Sequence, residues 1–560
     1  MKRALWTWIS IVILVGSAAG AGFYWIQHVG GTPITSLPAE NPAHRPPGAP
    51  PEQGPLGSYS SKLKASLANP STTQVAAARK IIDQLDDADG RVREAASLKL
   101  NSLDGSCLEV VEAAAKDPAI SPEQQVRLQK ALFYLRPRAK NQKIQLQTSR
   151  WIDEAMHKAY ATHERQNAPW NEDAHHAIDL MIQLGVQPLR GPAAVRTQAI
   201  DLLTDVLTAG CDDPFIRCLY GMCRGPSDHG NEFRPGRSLG EDTHAVMADT
   251  NNYPPYIKLF VNIGYLFTLD QNYLRQPGDM LPFRDLARQA DLPPGMLVFM
   301  AKRYGEALLH VADIQGTDMF CQDFQKYASP QEYRVVRGTI KNNLGNARRG
   351  HVGNAADEDF AEALQLAEEA LKADPSNLQA ARLMMTVKGN LNAGSEEIET
   401  WFQRAAECDP DAIDLYIRKL NLFWEQHEGP NASEAAEQMI DFGRQCLATQ
   451  NWRGGIPTIL VEAHRRLADD SLDRRKYLAQ PEVWRDISAV YEGALLNFPD
   501  DTRRRSEYAK LAAQCGKWDI AQRQFERLGE HADLNVFVSR PSYEYLRRKA
   551  KRLAVASQSH

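Results

Sequence analysis

Three octets decide how this chain folds: Glu368–Pro375 (EEALKADP), Gln403–Pro410 (QRAAECDP) and Glu492–Pro499 (EGALLNFP). Each reads as the tail of an amphipathic helix. A small residue stands five positions before a proline: Ala370, Ala405 and Ala494. Proline has no N–H to donate and disfavours helical backbone in the residue before it, so each helix stops there. The first two prolines lie 35 residues apart. A recurrence near this length predicts stacked helix pairs, each unable to bury its apolar face alone.

Working outward, 560 residues exceed one compact core and predict roughly three to four domain equivalents. Apolar residues make up 43% of the chain, enough to bury a core and to exclude a disordered protein. The net charge of −5 gives no basis for a nucleic-acid partner.

The N-terminus stands apart from the fold. Lys2 and Arg3 precede a run without charge from Ala4 to Ile26. As a helix this run would span about 34 Å, enough to cross a hydrocarbon core. Trp6, Trp8, Tyr24 and Trp25 sit near its ends, where interfacial aromatics belong. The positive pair is expected to stay inside, giving a single-pass inner-membrane protein with its bulk extracytoplasmic. A cleaved signal peptide is the competing expectation, with Ala19-Gly20-Ala21 as its site. Residues 33–55 then carry eight prolines and predict a semi-rigid spacer.

From Ser60 the pattern is helical. Two hairpins follow in succession, with a turn at Asp89-Gly90 in the first. Val92-Arg93 and Val126-Arg127 recur 34 residues apart, followed by Ala96 and Ala131. This stretch of about 75 residues resembles the HEAT repeat. That resemblance implies helical hairpins whose arginine ties the turn acids together. Near the other end, Ala509, Gly516, Ala521 and Phe525 stand at the small, Gly, small and aromatic spacing of tetratricopeptide repeats. Ala363, Ala370 and Pro375 fit a second such unit, and Phe402, Ala405 and Pro410 a third. The C-terminal third therefore resembles tetratricopeptide repeats, which implies a protein- or peptide-binding groove. Arg505 and Ala512 stand where that family has aromatics, and 411–485 matches poorly. Asn377 lies near a carboxylate-clamp position, but the family's basic residues do not follow, so no clamp residue carries over.

Between these regions, Gly210 reads as a helix stop, and Asp213-Pro214 as the cap and first residue of the next helix. Residues 225–255, rich in Gly and Pro, predict a long loop. The tail carries Arg547, Arg548, Lys549, Lys551 and Arg552 and reads as a solvated terminal cap.

Chemistry has few carriers. Glu154 and His157 share a helix face, and His163, Glu172, Asp173, His175 and His176 follow. Without H-E-x-x-H or paired Cys-x-x-Cys, these read as solvated histidines. Cys211, Cys218 and Cys223 miss zinc-knuckle spacing. With Cys107, Cys321, Cys408, Cys446 and Cys515 they do not form a disulfide framework. No P-loop and no dinucleotide fingerprint occurs. The sequence thus assigns no catalytic, cofactor-binding or metal-ligating residue and no cofactor.

The expected fold is an all-α superhelix of helical-hairpin repeats preceded by one transmembrane helix. Its segments are the stub and anchor (1–30), the proline-rich linker (31–58), HEAT-like hairpins (59–140), an irregular helical middle (141–345), tetratricopeptide-like repeats (346–535) and a basic tail (536–560). The expected function is non-catalytic: a scaffold displayed outside the membrane that binds a protein or peptide in its helical groove. The alternative is an envelope hydrolase with an acid/base carboxylate pair in the middle segment.

Overall fold

A computed structural model describes residues 72–161, 168–190, 193–224, 239–249, 253–268, 280–311, 313–349, 354–427, 432–537 and 539–558. The expected membrane helix and proline-rich linker lie outside these residues, as does His163. The stretch 225–255, expected to be one long loop, instead contains helix Leu239–Ala248, whose Val246 is buried in the core. Among the described residues all regular structure is helical. None of these helices is long and apolar enough to cross a membrane. The chain divides into two compact units.

One unit runs from Lys143 to Cys408. Local punctuation builds its helices as the sequence predicts. The backbone N–H groups of Phe215 and Ile216 donate to Asp213 Oδ1 at 2.8 and 3.1 Å, and helix Pro214–Arg224 starts at the proline. Gly210 takes a positive φ of 106° just after helix Ala193–Thr208, a conformation that costs a residue without Cβ little. Ser329 and Glu332 exchange bonds in a capping box that opens helix Pro330–Arg348. The core of this unit is aromatic at its centre. Phe283, Tyr304 and Phe320 meet with ring centroids 4.9–5.4 Å apart, all fully buried.

The same unit ends in helices Ala355–Ala373, Leu378–Asn390 and Ser395–Cys408, each packed on the next. The first and last stop two residues before Pro375 and Pro410. Asn377 accepts from the Ala380 N–H at 3.0 Å and starts the middle helix. Ala363, Ala370 and Ala405 are fully buried, so helices approach closely along their small residues. A Cβ on Gly345 would lie 2.6 Å from the Phe360 ring, which marks the same close approach between helices Pro330–Arg348 and Ala355–Ala373.

The other unit joins residues up to Gln142 with Asp409–His560. Its first helices are Thr72–Asp83, Gly90–Asn101 and Leu108–Ala115. Helix Pro122–Ala161 begins here and runs 40 residues, through Pro137. The hairpin pattern predicts a shorter helix. An interior proline costs about 3 kcal/mol. Burial of Leu128, Leu132 and Leu135 before it, and of Met156 and Tyr160 after it, outweighs that cost.

Arg93 ties the first turn through carbonyls rather than acids, donating to Asp87 O at 2.8 Å and Ala88 O at 3.2 Å. Arg127 pairs with Glu94 and Glu123, each at 3.0 Å, and Glu123 also meets Arg93 at 3.2 Å. Ala96 and Ala131 are buried, whereas Val126 is 69% exposed, so the second Val-Arg pair does not repeat the packing of the first.

The C-terminal helices of this unit are Pro481–Asn497, Thr502–Gln514, Trp518–Leu528, the single turn Leu534–Phe537 and Arg540–Gln558. The Pro481 helix stops two residues before Pro499. Phe525 is buried against Phe537 and Tyr543, in one cluster with Ala509 and Ala521. The basic tail is amphipathic in fact: Tyr543, Ala550 and Ala554 are buried, while Arg547 pairs with Glu530 at 3.3 Å. Lys549 lies 5.3 Å from the Trp518 ring centroid.

Candidate functional site

Two helices of the Lys143–Cys408 unit bring the histidine-rich stretch together. Asp153 and His157 stand four residues apart on helix Pro122–Ala161. His175 and Asp179 have the same spacing on helix Asn171–Leu184. Four-residue spacing places each pair on one face of its helix. Met156, Ala159 and Tyr160 share a buried core with Ala174, Ala177 and Ile178. Closing that apolar seam sets the two polar faces beside each other at its edge.

His157 is the centre of the arrangement. Its Nδ1 lies 2.7 Å from His175 Nδ1. Its Nε2 lies 3.2 Å from Asp179 Oδ1 and 3.8 Å from Asp153 Oδ1. The Tyr160 ring packs edge-on against His175, and its hydroxyl donates to Asn171 Oδ1 at 2.6 Å. A bond between two ring nitrogens holds one proton, so one imidazole donates and the other accepts. The pair therefore carries at most one positive charge while the bond is intact. Two carboxylates face the ring's other nitrogen, where their charge favours a cation.

The chemistry is partly accessible: the side chains of His157, Asp153 and Asp179 are 25%, 14% and 16% exposed. Glu154, Glu172 and Asp173 are exposed to solvent, and His176 is half-buried. The acids beside His157 Nε2 are thus Asp153 and Asp179. Asp153 is the i−4 neighbour of His157 and is visible in the sequence as such. Asp179 arrives from another helix, and no spacing rule points to it.

The cysteine cluster does a different job. Cys218 lies 3.7 Å from Thr243 Oγ1, and Cys223 lies 3.2 Å from Met181 Sδ. Burial pushes the Cys211 thiol up to about 11 and Cys223 up to about 12. Cys218 is raised further for the same reason. These are core thiols, poor nucleophiles and poor ligands in their neutral form. No disulfide occurs among the eight cysteines, all of which are described.

No protein-family model matches the chain, and no curated protein matches it.

Proposed function

We propose that the chain is a non-catalytic scaffold that binds a protein or peptide on its helical repeats, held outside the cytoplasmic membrane by its N-terminal segment. One observation carries this: the three octet helices stop at their prolines and pack along buried small residues, Ala370, Ala405 and Ala494. Paired helices of that build present side chains on open faces and leave the backbone satisfied. Sequence likeness to tetratricopeptide repeats adds to the reading, and the N-terminal hydropathy adds the location. The alternative, an envelope hydrolase, draws its support from Asp153 and Asp179 beside His157.

Site-specific photo-crosslinking in membranes tests the proposal. Reactive groups placed at the exposed helix positions Glu368, Gln403 and Glu526 are expected to trap a protein of defined mass. Absence of any adduct at all three positions, with the protein folded and exported, would overturn it. Hydrolysis of cell-envelope material that is lost in Asp179→Asn would favour the enzyme instead.

A further inference from the structure

We propose that Asp153, His157 and Asp179 form a binding site for a divalent first-row metal ion, with zinc as its first choice, and that His175 sets the ligand's tautomer. Among the described residues, these three offer ligand atoms within 4.8 Å of one another. The histidine alone would be an ordinary helix-surface ring. The two carboxylates converging on the same nitrogen change its meaning.

Size agrees first. Zinc bonds nitrogen and oxygen at about 2.0–2.2 Å, so neighbouring ligand atoms around a tetrahedral ion stand about 3.3 Å apart. The two edges from His157 Nε2, 3.2 and 3.8 Å, bracket that length. Charge agrees next. Two carboxylates neutralise a divalent ion, and the ion removes the repulsion between them. Partial exposure provides an entry path and leaves the remaining coordination positions to water. Imidazole with carboxylates suits zinc, and manganese more weakly.

The second histidine supplies what a ligating imidazole needs. Metal on Nε2 requires the proton on Nδ1, and that proton needs an acceptor. His175 Nδ1 stands 2.7 Å away in that position. His175 is in turn held by the Tyr160 ring, so the supporting group is packed rather than mobile. His175 is therefore a positioning residue, and the ligands are the other three.

The test uses the full-length chain, freed of metal with chelator. Titration with zinc chloride followed by calorimetry is expected to show one equivalent bound, with a rise in melting temperature. Cobalt(II) in place of zinc is expected to give visible d–d absorption with no sulfur charge-transfer band, because the thiols are not ligands. Asp179→Asn and His157→Gln are expected to abolish the cobalt spectrum. His175→Gln is expected to weaken affinity about tenfold to hundredfold while keeping the band. His176→Gln is the control and leaves binding unchanged. Circular dichroism of each variant establishes that it is folded. A wild-type chain that takes up no zinc or cobalt overturns the proposal. So does zinc binding that folded Asp179→Asn retains at full strength, or a cobalt spectrum showing thiolate ligation. None of these readouts depends on the scaffold proposal.

Discussion

Arg138 grips both carboxylate oxygens of Asp411, at 2.5 Å from Nε and 3.0 Å from Nη2, across 273 residues of sequence. The guanidinium is fully engaged. It also reaches Asn451 Oδ1 at 2.9 Å and the carbonyls of Asn101 and Leu103 at 2.5 and 3.2 Å. Asn451 returns to Asp411 through its amide at 2.8 Å. Arg453 pairs with Asp104 in the same unit. A planar fork matched to a carboxylate gives direction as well as charge, and lysine does not reproduce it.

Both partners are nearly out of water, Arg138 at 6% and Asp411 at 8% exposure. Arg138→Ala is therefore expected to strand a buried carboxylate and destabilise this unit by about 3–5 kcal/mol. Replacing both partners by leucine is expected to cost much less, since no charge is then left unpaired. Denaturant unfolding followed by fluorescence of the buried Trp452 reads both variants. Equal losses in the single and double replacements would show that the pair's charge is not what matters.

Phe525 and Ala521 test the helix pairing near the C-terminus. Phe525 is 1% exposed, and Ala521 has no exposed surface. Phe525→Ala is expected to cost about 3–5 kcal/mol through lost transfer energy and the cavity left against Phe537 and Tyr543. Ala521→Leu is expected to cost about 1–3 kcal/mol by overpacking. Limited proteolysis should locate the damage after about residue 480, as expected of a stack of neighbours. Unchanged cleavage in both variants would show that this contact does not hold the C-terminal helices.

His464 gives the second unit a pH dependence. It is 3% exposed, between Tyr477 at 3.0 Å and Asp486 at 3.2 Å. Arg444 also meets Asp486, at 2.9 Å, and Glu482 adds a further negative charge nearby. Burial lowers the ring's pKa below 6.5, and Asp486 only partly opposes this. Between the two values the unfolded chain binds more protons than the folded one, so stability rises with pH there. The contribution is whole above about pH 6.5 and is lost as pH falls through the lower folded value. Chemical unfolding from pH 7.5 to 5 is expected to show this slope in the wild type and a flatter one in His464→Gln. An identical slope in the variant would assign the dependence to other groups.

Seven of the eight cysteines are buried, and Cys408 is half-exposed. Burial lifts Cys515 to about 11 and Cys321 to about 12, so the reactive thiolate is scarce at neutral pH. Iodoacetamide on the native protein is expected to label Cys408 first, with the others following only after denaturation. Mass spectrometry of the labelled peptides decides. Rapid native labelling of Cys218 or Cys223 would mean that the core around helix Pro214–Arg224 opens readily.

What the sequence determined by itself is local. Pro375, Pro410 and Pro499 end their helices because proline cannot continue a hydrogen-bonded turn. Asp213 and Asn377 open theirs because a short side chain can accept the first free N–H groups. Such bonds close within a few residues, so the information sits in the same few letters. The small and aromatic positions marked by the likeness to tetratricopeptide repeats, Ala363, Ala509 and Phe525, are likewise buried. Their spacing did not foretell what those faces meet. Val126 repeats Val92 in sequence and stands in solvent, because a period names a face and not a neighbour. Only the tertiary structure set Arg138 on Asp411 and Asp179 on His157. A carboxylate on one helix and a cation or ring on another read as two solvated surface groups until packing of the apolar seams removes the water between them.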